Sequence, residues 1–227
     1  MKKLIMAILV IAIGTGVYAQ NYTPPKVGTV LTYANNDAKG NVQDYSQITV
    51  KDVKGSGNNM TITFAGVGLD KNRKPVKGAE FTYKAEVKNG VMIMDLNQLI
   101  PAEMKNQGIK MDIKGTGMEL PSNLKAGQSL KPYDATITMD ISGIKMTSKI
   151  KYEGKCVAIE DLKVPAGTFK CHKVNEKVST TVMNMTNTST NTSWWAASLG
   201  FFSVKTESYD EKNKLVSSQV LIEVKGN

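Results

Sequence analysis

Apolar and polar side chains alternate along most of the chain after residue 20. This is the period of an extended strand with one buried face, and it limits the fold more than any other feature. The rhythm is sharpest around Ser142-Gly143. Ala135, Ile137, Met139 and Ile141 share one parity, while Ile144, Met146, Ile150 and Tyr152 share the opposite one. A two-residue loop at Ser142-Gly143 pairs 141 with 144 and 139 with 146. It gathers the apolar residues on one face and gives Gly143 the positive φ that such loops require. Three further stretches, Asp37-Ala38-Lys39-Gly40, Asp70-Lys71-Asn72-Arg73 and Asp210-Glu211-Lys212-Asn213, read as hairpin tips. At each, an aspartate can accept bonds from nearby backbone N–H groups and tolerate turn geometry.

Strands are expected over Val27 to Tyr33, Val42 to Val50, Asn59 to Gly68, Ala79 to Val87, Ile109 to Met118, Thr168 to Val178, Phe201 to Ser208 and Leu215 to Val224, besides the Ser142-Gly143 hairpin. The expected class is all-β: an antiparallel sheet of about ten or more strands, curled into a barrel, half-barrel or sandwich so that its apolar face is covered. One short helix is expected over 95–106, where Leu96, Ile100 and Met104 stand four apart and Pro101 marks a break or a first turn. Residues 20–227 read as a single domain. The best linker is Gly115-Thr116-Gly117 with residues 121–127, so a two-lobed split near 120–127 is the alternative.

Residues 1–19 read as a secretory signal peptide. Lys2 and Lys3 precede an apolar run from Leu4 to Ile13, and Val17 and Ala19 supply the small residues before a cut. The apolar run is near ten residues, too short for the ~20 that cross a bilayer as a helix. The expected product is periplasmic or secreted from a Gram-negative bacterium and does not span the membrane. Acylation as a lipoprotein is not expected, since the two cysteines stand far downstream at 156 and 171. Hydrophobic residues make up 41% of the 227, which fits a packed core and argues against a disordered chain.

Val164-Pro165-Ala166-Gly167-Thr168-Phe169-Lys170-Cys171, then Trp194-Trp195-Ala196 and Gly200, then Lys205 to Lys212 and Leu215-Val216-Ser217, resemble the TapB-like family. Tyr33 to Gly40, Gly90 to Asp95 and Leu120 to Leu130 fit the same pattern, so the resemblance covers nearly the whole mature chain. It implies exported, predominantly β proteins of Gram-negative bacteria, with a domain of unknown function and no catalytic residues to carry over. Two departures stand out: Trp195 takes the place of a usual Tyr, and Gly200 to Lys205 is about two residues longer than usual, which predicts a local bulge. Without the family, Val164-Pro165 with Gly167 reads as a strand-to-strand corner.

Catalytic chemistry finds no constellation. The single histidine, His172, has the opposite parity to Phe169 and Cys171 and is expected to face outward. No metal is expected, because one histidine and two separated cysteines do not supply three or four ligands. No cofactor is expected, since no Gly-rich loop leads into a helix. Glu153, Glu160, Asp161 and Glu207 stand among lysines and read as surface charge. Export makes a Cys156–Cys171 disulfide the chemical default. With Val164 paired to Phe169, however, the two cysteines are offset by ~20 Å along the strands, beyond the ~7 Å Cα limit, so the bond requires residues 160–167 to leave the sheet as a loop.

The excess of 29 Lys+Arg over 20 Asp+Glu is spread along turns and strands. No nucleic-acid partner is expected, and mild attraction to anionic lipid or polysaccharide is the alternative to plain solubility. The Asn/Ser/Thr-rich run from Ser179 to Ser193 reads as a mobile loop or an exposed hairpin. Seven methionines, Met92, Met94, Met104, Met111, Met118, Met139 and Met146, crowd about one quarter of the chain, and flexible thioethers suit both core packing and permissive apolar pockets. Of the adjacent Trp194 and Trp195, either one is core and one exposed, or both pack.

The expected function is a non-enzymatic binding module for a hydrophobic or lipid-like ligand, with Met92, Met94, Met139, Met146, Trp194 and Trp195 as the candidate pocket. The alternative is a structural or assembly protein that contacts an envelope protein partner.

Overall fold

The computed structural model describes residues 22–94, 110–115, 117–141 and 143–226. The signal peptide with its cut after Ala19, and the helix expected over 95–106 with Leu96, Ile100, Pro101 and Met104, lie outside the described residues. Thirteen strands follow in chain order: β1 (Val30–Asp37), β2 (Val42–Ser56), β3 (Asn59–Leu69), β4 (Pro75–Lys88), β5 (Val91–Met94), β6 (Lys110–Gly115), β7 (Met118–Pro121), β8 (Tyr133–Ile141), β9 (Ile144–Val164), β10 (Gly167–Val182), β11 (Met185–Ala196), β12 (Phe202–Tyr209) and β13 (Leu215–Lys225). A 3₁₀ turn, Ala197–Leu199, separates β11 from β12. All strands join one antiparallel sheet in the order β6-β8-β9-β10-β11-β12-β13-β1-β2-β3-β4-β5-β7.

Local chemistry sets the hairpins. In the β8–β9 pair Ile141 lies opposite Ile144 and Met139 opposite Met146, and Gly143 takes a φ of 86°. The Asp37, Asp70 and Asp210 tips share one construction. In each, an Asp Oδ1 accepts the backbone N–H groups two and four residues on, at 2.8–2.9 Å. The fourth residue, Gly40, Arg73 or Asn213, is left-handed. The Ser179 to Ser193 run forms a hairpin in which β10 and β11 stay paired up to Val182 and Met185. Met183 and Asn184 turn the chain with φ of 48° and 64°.

The corner at Pro165 corrects the expected pairing. Val164 lies opposite Gly167, not Phe169, and Cys171 lies opposite Glu160. Residues 160–164 and 167 stay in the ladder, so the loop that a disulfide requires is not formed. Cys156 pairs with Val174, three residues along β10 from Cys171, or ~10 Å at ~3.3 Å per residue, beyond the ~7 Å reach of a disulfide. Both cysteines are free and buried.

β6 and β7 are the two edges of the sheet among the described residues, yet two residues separate them in the chain. Three Cα–Cα steps of 3.8 Å span at most ~11 Å. The ends of the sheet must therefore curl towards one another without closing a ladder, which makes the molecule an open half-barrel. The Ile109 to Met118 stretch, expected as one strand, is thus two strands on opposite edges.

The curl encloses a main core that includes Val50, Ile62, Phe64 and Tyr83 from one arm and Tyr152, Cys156, Val174 and Trp195 from the other. A second core holds Leu31, Tyr33, Cys171, Trp194, Val204 and Leu221. β9 also touches β12 and β13, its third and fourth neighbours in the ladder, so this part of the sheet bends sharply. Register shifts at Lys173/Val174 and Trp194/Trp195 accompany the bend. The second leaves Val204 unpaired, in the stretch where a bulge was expected.

Candidate functional site

Three strands and one short edge strand build a wall. Tyr83 lies opposite Phe64, Ala85 opposite Met94 and Val87 opposite Met92. Met94 lies in turn opposite Met118, and Met92 opposite Leu120. Ala85 has the smallest side chain in this patch, and space opens above it. From the other arm come Trp195, Gly200, Phe201 and Phe202, flanking a partly open cavity of about 190 Å³. It lies where the two cores meet: Ile48 and Phe202 pack against both.

Aromatic contacts hold the walls. Phe64 stacks on Tyr83 at 4.9 Å and meets Phe202 edge-on at 4.9 Å, geometries that add to simple burial. Gly200 and Phe201 are both left-handed, at φ 68° and 61°. A Cβ at Gly200 would stand 2.6 Å from Pro25 Cδ and 2.9 Å from the Tyr22 hydroxyl oxygen, so only glycine fits. The Tyr22 hydroxyl donates to the Gly200 carbonyl at 2.7 Å and lies 3.3 Å from Met92 Sδ. Phe201, a bulky residue in a strained region, rests against Tyr22 and His172.

The cavity is nearly free of charge. Among the described residues no Asp, Glu, Lys, Arg or His lines it. Its polar side chains are Tyr33, Tyr83, Ser203, Gln219 and, through its indole N–H, Trp195. Ser203 Oγ donates to the Lys205 carbonyl at 2.8 Å, and Gln219 Nε2 donates to Asn35 Oδ1 at 2.9 Å. Burial pushes the Tyr22, Tyr33 and Tyr83 phenols above their ordinary range, and neighbouring Tyr83 adds to this at the first two. All three stay protonated at neutral pH.

Of the six residues expected at a pocket, Met92, Met94 and Trp195 line this cavity. Met139 and Met146 face each other in the β8–β9 hairpin and do not line it. Trp194 belongs to the second core. Its Nε1–H donates to Glu160 at 2.7 Å, and the Lys173 and Lys205 ammonium groups sit 5.1 and 5.3 Å from its ring centroid. Both tryptophans are therefore buried, in different cores. Phe64, Tyr83, Leu120 and Tyr33 were not anticipated; a pairing of 83 with 64 and of 94 with 85 and 118 would have found the first three.

His172 corrects the expectation that it faces outward: it is 7% exposed. β10 is covered on both faces here, with Cys171 in one core and His172 against Phe201 of the other, so parity could not tell in from out. Burial pulls the imidazole below its ordinary range, against the pull of the Trp195 and Leu124 backbone, and Nδ1 has no hydrogen-bond partner. Glu176 is also buried on this face, accepting the Tyr152 and Ser193 hydroxyls at 3.0 Å each. A wider open trough of about 620 Å³ runs along β9–β12, rimmed by Lys155, Asn175, Lys177 and Tyr209. Among the described residues no three His, Cys, Asp or Glu side chains are placed to hold a metal.

No curated protein matches the chain. Solved structures do. A protein from Bacteroides fragilis NCTC 9343, described as exported and of YmcC-like fold, matches with a TM-score of 0.67 and 21% identity, over 91% of this chain and 99% of the other. A protein from Parabacteroides distasonis ATCC 8503, described as a lipoprotein, matches with a TM-score of 0.67 and 22% identity, over 90% and 98%. At such identities the likeness concerns the fold. A family model described as DUF3108-like matches residues 26–221; it supports the expected domain of unknown function and does not carry the TapB-like name. The chain belongs to the DUF3108-like family.

Proposed function

We propose that this protein is a non-enzymatic binder of a small hydrophobic molecule, held in the cavity between Met92, Met94, Met118 and Trp195. The observation that supports this reading is a partly open, mainly apolar space lined by three thioethers and a ring of aromatics. Such side chains adapt to varied apolar shapes. Size decides the class of occupant. Sites for drug-sized ligands run to ~300–1,000 Å³, whereas an apolar cavity of ~150 Å³ holds benzene. At about 190 Å³ the space takes a single ring or the end of a chain and excludes a whole lipid.

Titration calorimetry with toluene tests the reading. The wild type should bind it, and Met94→Trp, which fills the space from a half-buried position, should weaken binding by at least about tenfold. Absence of toluene binding to the wild type would overturn the proposal. The site works outside the cytoplasm on this reading, after cleavage following Ala19. N-terminal sequencing of the exported product should begin at Gln20, and a product that keeps residues 1–19 would refute the cut.

A further inference from the structure

The two tyrosines that line the cavity are buried phenols, each with a hydroxyl donor to place. Tyr33 is 2% and Tyr83 8% exposed, so both side chains are largely withdrawn from bulk water. Each hydroxyl is an O–H donor, and buried donors are rarely left without an acceptor, because desolvation then goes uncompensated. Tyr22, a third buried phenol nearby, has its acceptor in the Gly200 carbonyl. Among the described residues no hydrogen bond is formed by the hydroxyl of Tyr33 or of Tyr83. Neither oxygen is sealed in, since among the described residues the one fully enclosed side-chain nitrogen or oxygen without a partner is His172 Nδ1. Both hydroxyls therefore meet free space, and the space that both residues line is the cavity.

Resting on the binding reading above, we infer that the ligand is an uncharged molecule, about one ring in bulk, whose hydrogen-bond acceptor is held by the Tyr33 and Tyr83 hydroxyls while its apolar body lies on Phe64, Met92, Met94 and Met118. A ketone, aldehyde or ester carbonyl has this chemistry, with two lone pairs for two donors. A carboxylate does not fit, because among the described residues no cationic side chain lines the cavity and an unpaired buried charge is costly. A pure hydrocarbon fits the walls but leaves both donors unmet. The phenols are held protonated, as donors, by the burial that raises them.

The test uses acetophenone and α-methylstyrene, near-isosteres that differ in C=O against C=CH₂, with benzoate as the charged probe. In the wild type acetophenone should bind about tenfold more tightly than α-methylstyrene, the size of one good hydrogen bond, and benzoate should not bind. In Tyr33→Phe/Tyr83→Phe, checked for folding by its thermal melt, the two neutral probes should bind within about twofold of each other. The carbonyl ¹³C resonance of bound acetophenone should lie downfield in the wild type and return upfield in the double variant. Equal binding of the ketone and the alkene by the wild type overturns the inference and leaves the apolar cavity standing. Persistence of the preference in the double variant overturns it as well. If neither neutral probe binds the wild type, cavity binding and the inference fall together.

Discussion

Glu176 shows how a single residue can set the response to pH. It stands between Val174 and Val178 on the inner face of β10, next to the main core. Burial pushes its carboxyl above the ordinary carboxylate range, and hydrogen bonds from Tyr152, Ser193 and Asn191 only partly oppose this. The folded state thus holds this proton more tightly than the unfolded chain. Its contribution is greatest below the unfolded value of 4.5 and falls as pH rises towards the folded value. Glu176→Gln should flatten this loss, so melting curves from pH 4 to 8 should show the variant gaining on the wild type as pH rises; a constant offset would contradict the assignment. Glu176→Ala instead strands two hydroxyls and should destabilise by about 1–3 kcal/mol. His172 has the opposite sign. Burial lowers it from 6.5, so the folded state binds its proton less readily, and stability is lost as pH falls through 6.5 towards the folded value. His172→Leu should melt with less acid sensitivity between pH 6.5 and 5, whatever its melting temperature at neutral pH. The burial of neither residue was legible in the sequence: Glu176 lies in a polar stretch, and His172 had the parity of an outward position.

At the scale of the element, turn chemistry was the most legible feature and burial the least. The Asp37, Asp70 and Asp210 tips and the Ser142-Gly143 loop follow from residues within five positions of one another, and sequence displays such relations directly. The β10–β11 hairpin shows the limit. Its Ser, Thr and Asn residues allow a loop or a strand, and pairing with β9 and β12 decides. Its tip is the weak point. Met183 and Asn184 both take positive φ, where Asn-Gly is strongly preferred, and Met183 is 69% exposed, so it packs on little. Met183→Asn/Asn184→Gly should stabilise by about 1 kcal/mol, raising the melting temperature by ~2–4 °C for a chain of this size. An unchanged or lower value would mean that the tip is not strained. Gly154 makes the converse case. A Cβ there would lie 2.7 Å from Leu130 Cδ1 and 2.8 Å from the Tyr152 hydroxyl, the group that bonds Glu176. Gly154→Ala should cost about 1–3 kcal/mol by overpacking, and a thermal melt unchanged from wild type would refute that.

For the molecule as a whole, the open seam between β6 and β7 governs where the sheet can loosen. Edge strands leave half their backbone groups unpaired, while β1, β10 and β13 are paired on both sides. Hydrogen exchange should therefore be fastest in β6 and β7 and slowest in β10, β1 and β13; equal protection of β6 and β10 would mean that the half-barrel closes in solution. The exposed Lys114 and Asp112 of β6 form an ion pair at 3.7 Å, and charges on an edge discourage strand addition, which weighs against assembly through that edge. Much of this architecture was legible. Alternation with period two identified an antiparallel β-protein, and the parity switch at Ser142-Gly143 gave the β8–β9 register, because both depend on neighbours a few residues apart. The cavity was not legible. Met94 lies beside Ala85 and Met118, and Trp195 arrives from about a hundred residues away in the chain, only because thirteen strands pair in one order and the sheet curls. Met139 and Met146 have the same chemistry and alternation as Met92 and Met94 yet stand elsewhere. The sequence alone determined which residues alternate and where the chain turns; the tertiary structure decided which apolar faces meet and where they leave a space, since that depends on long-range register that no local period encodes.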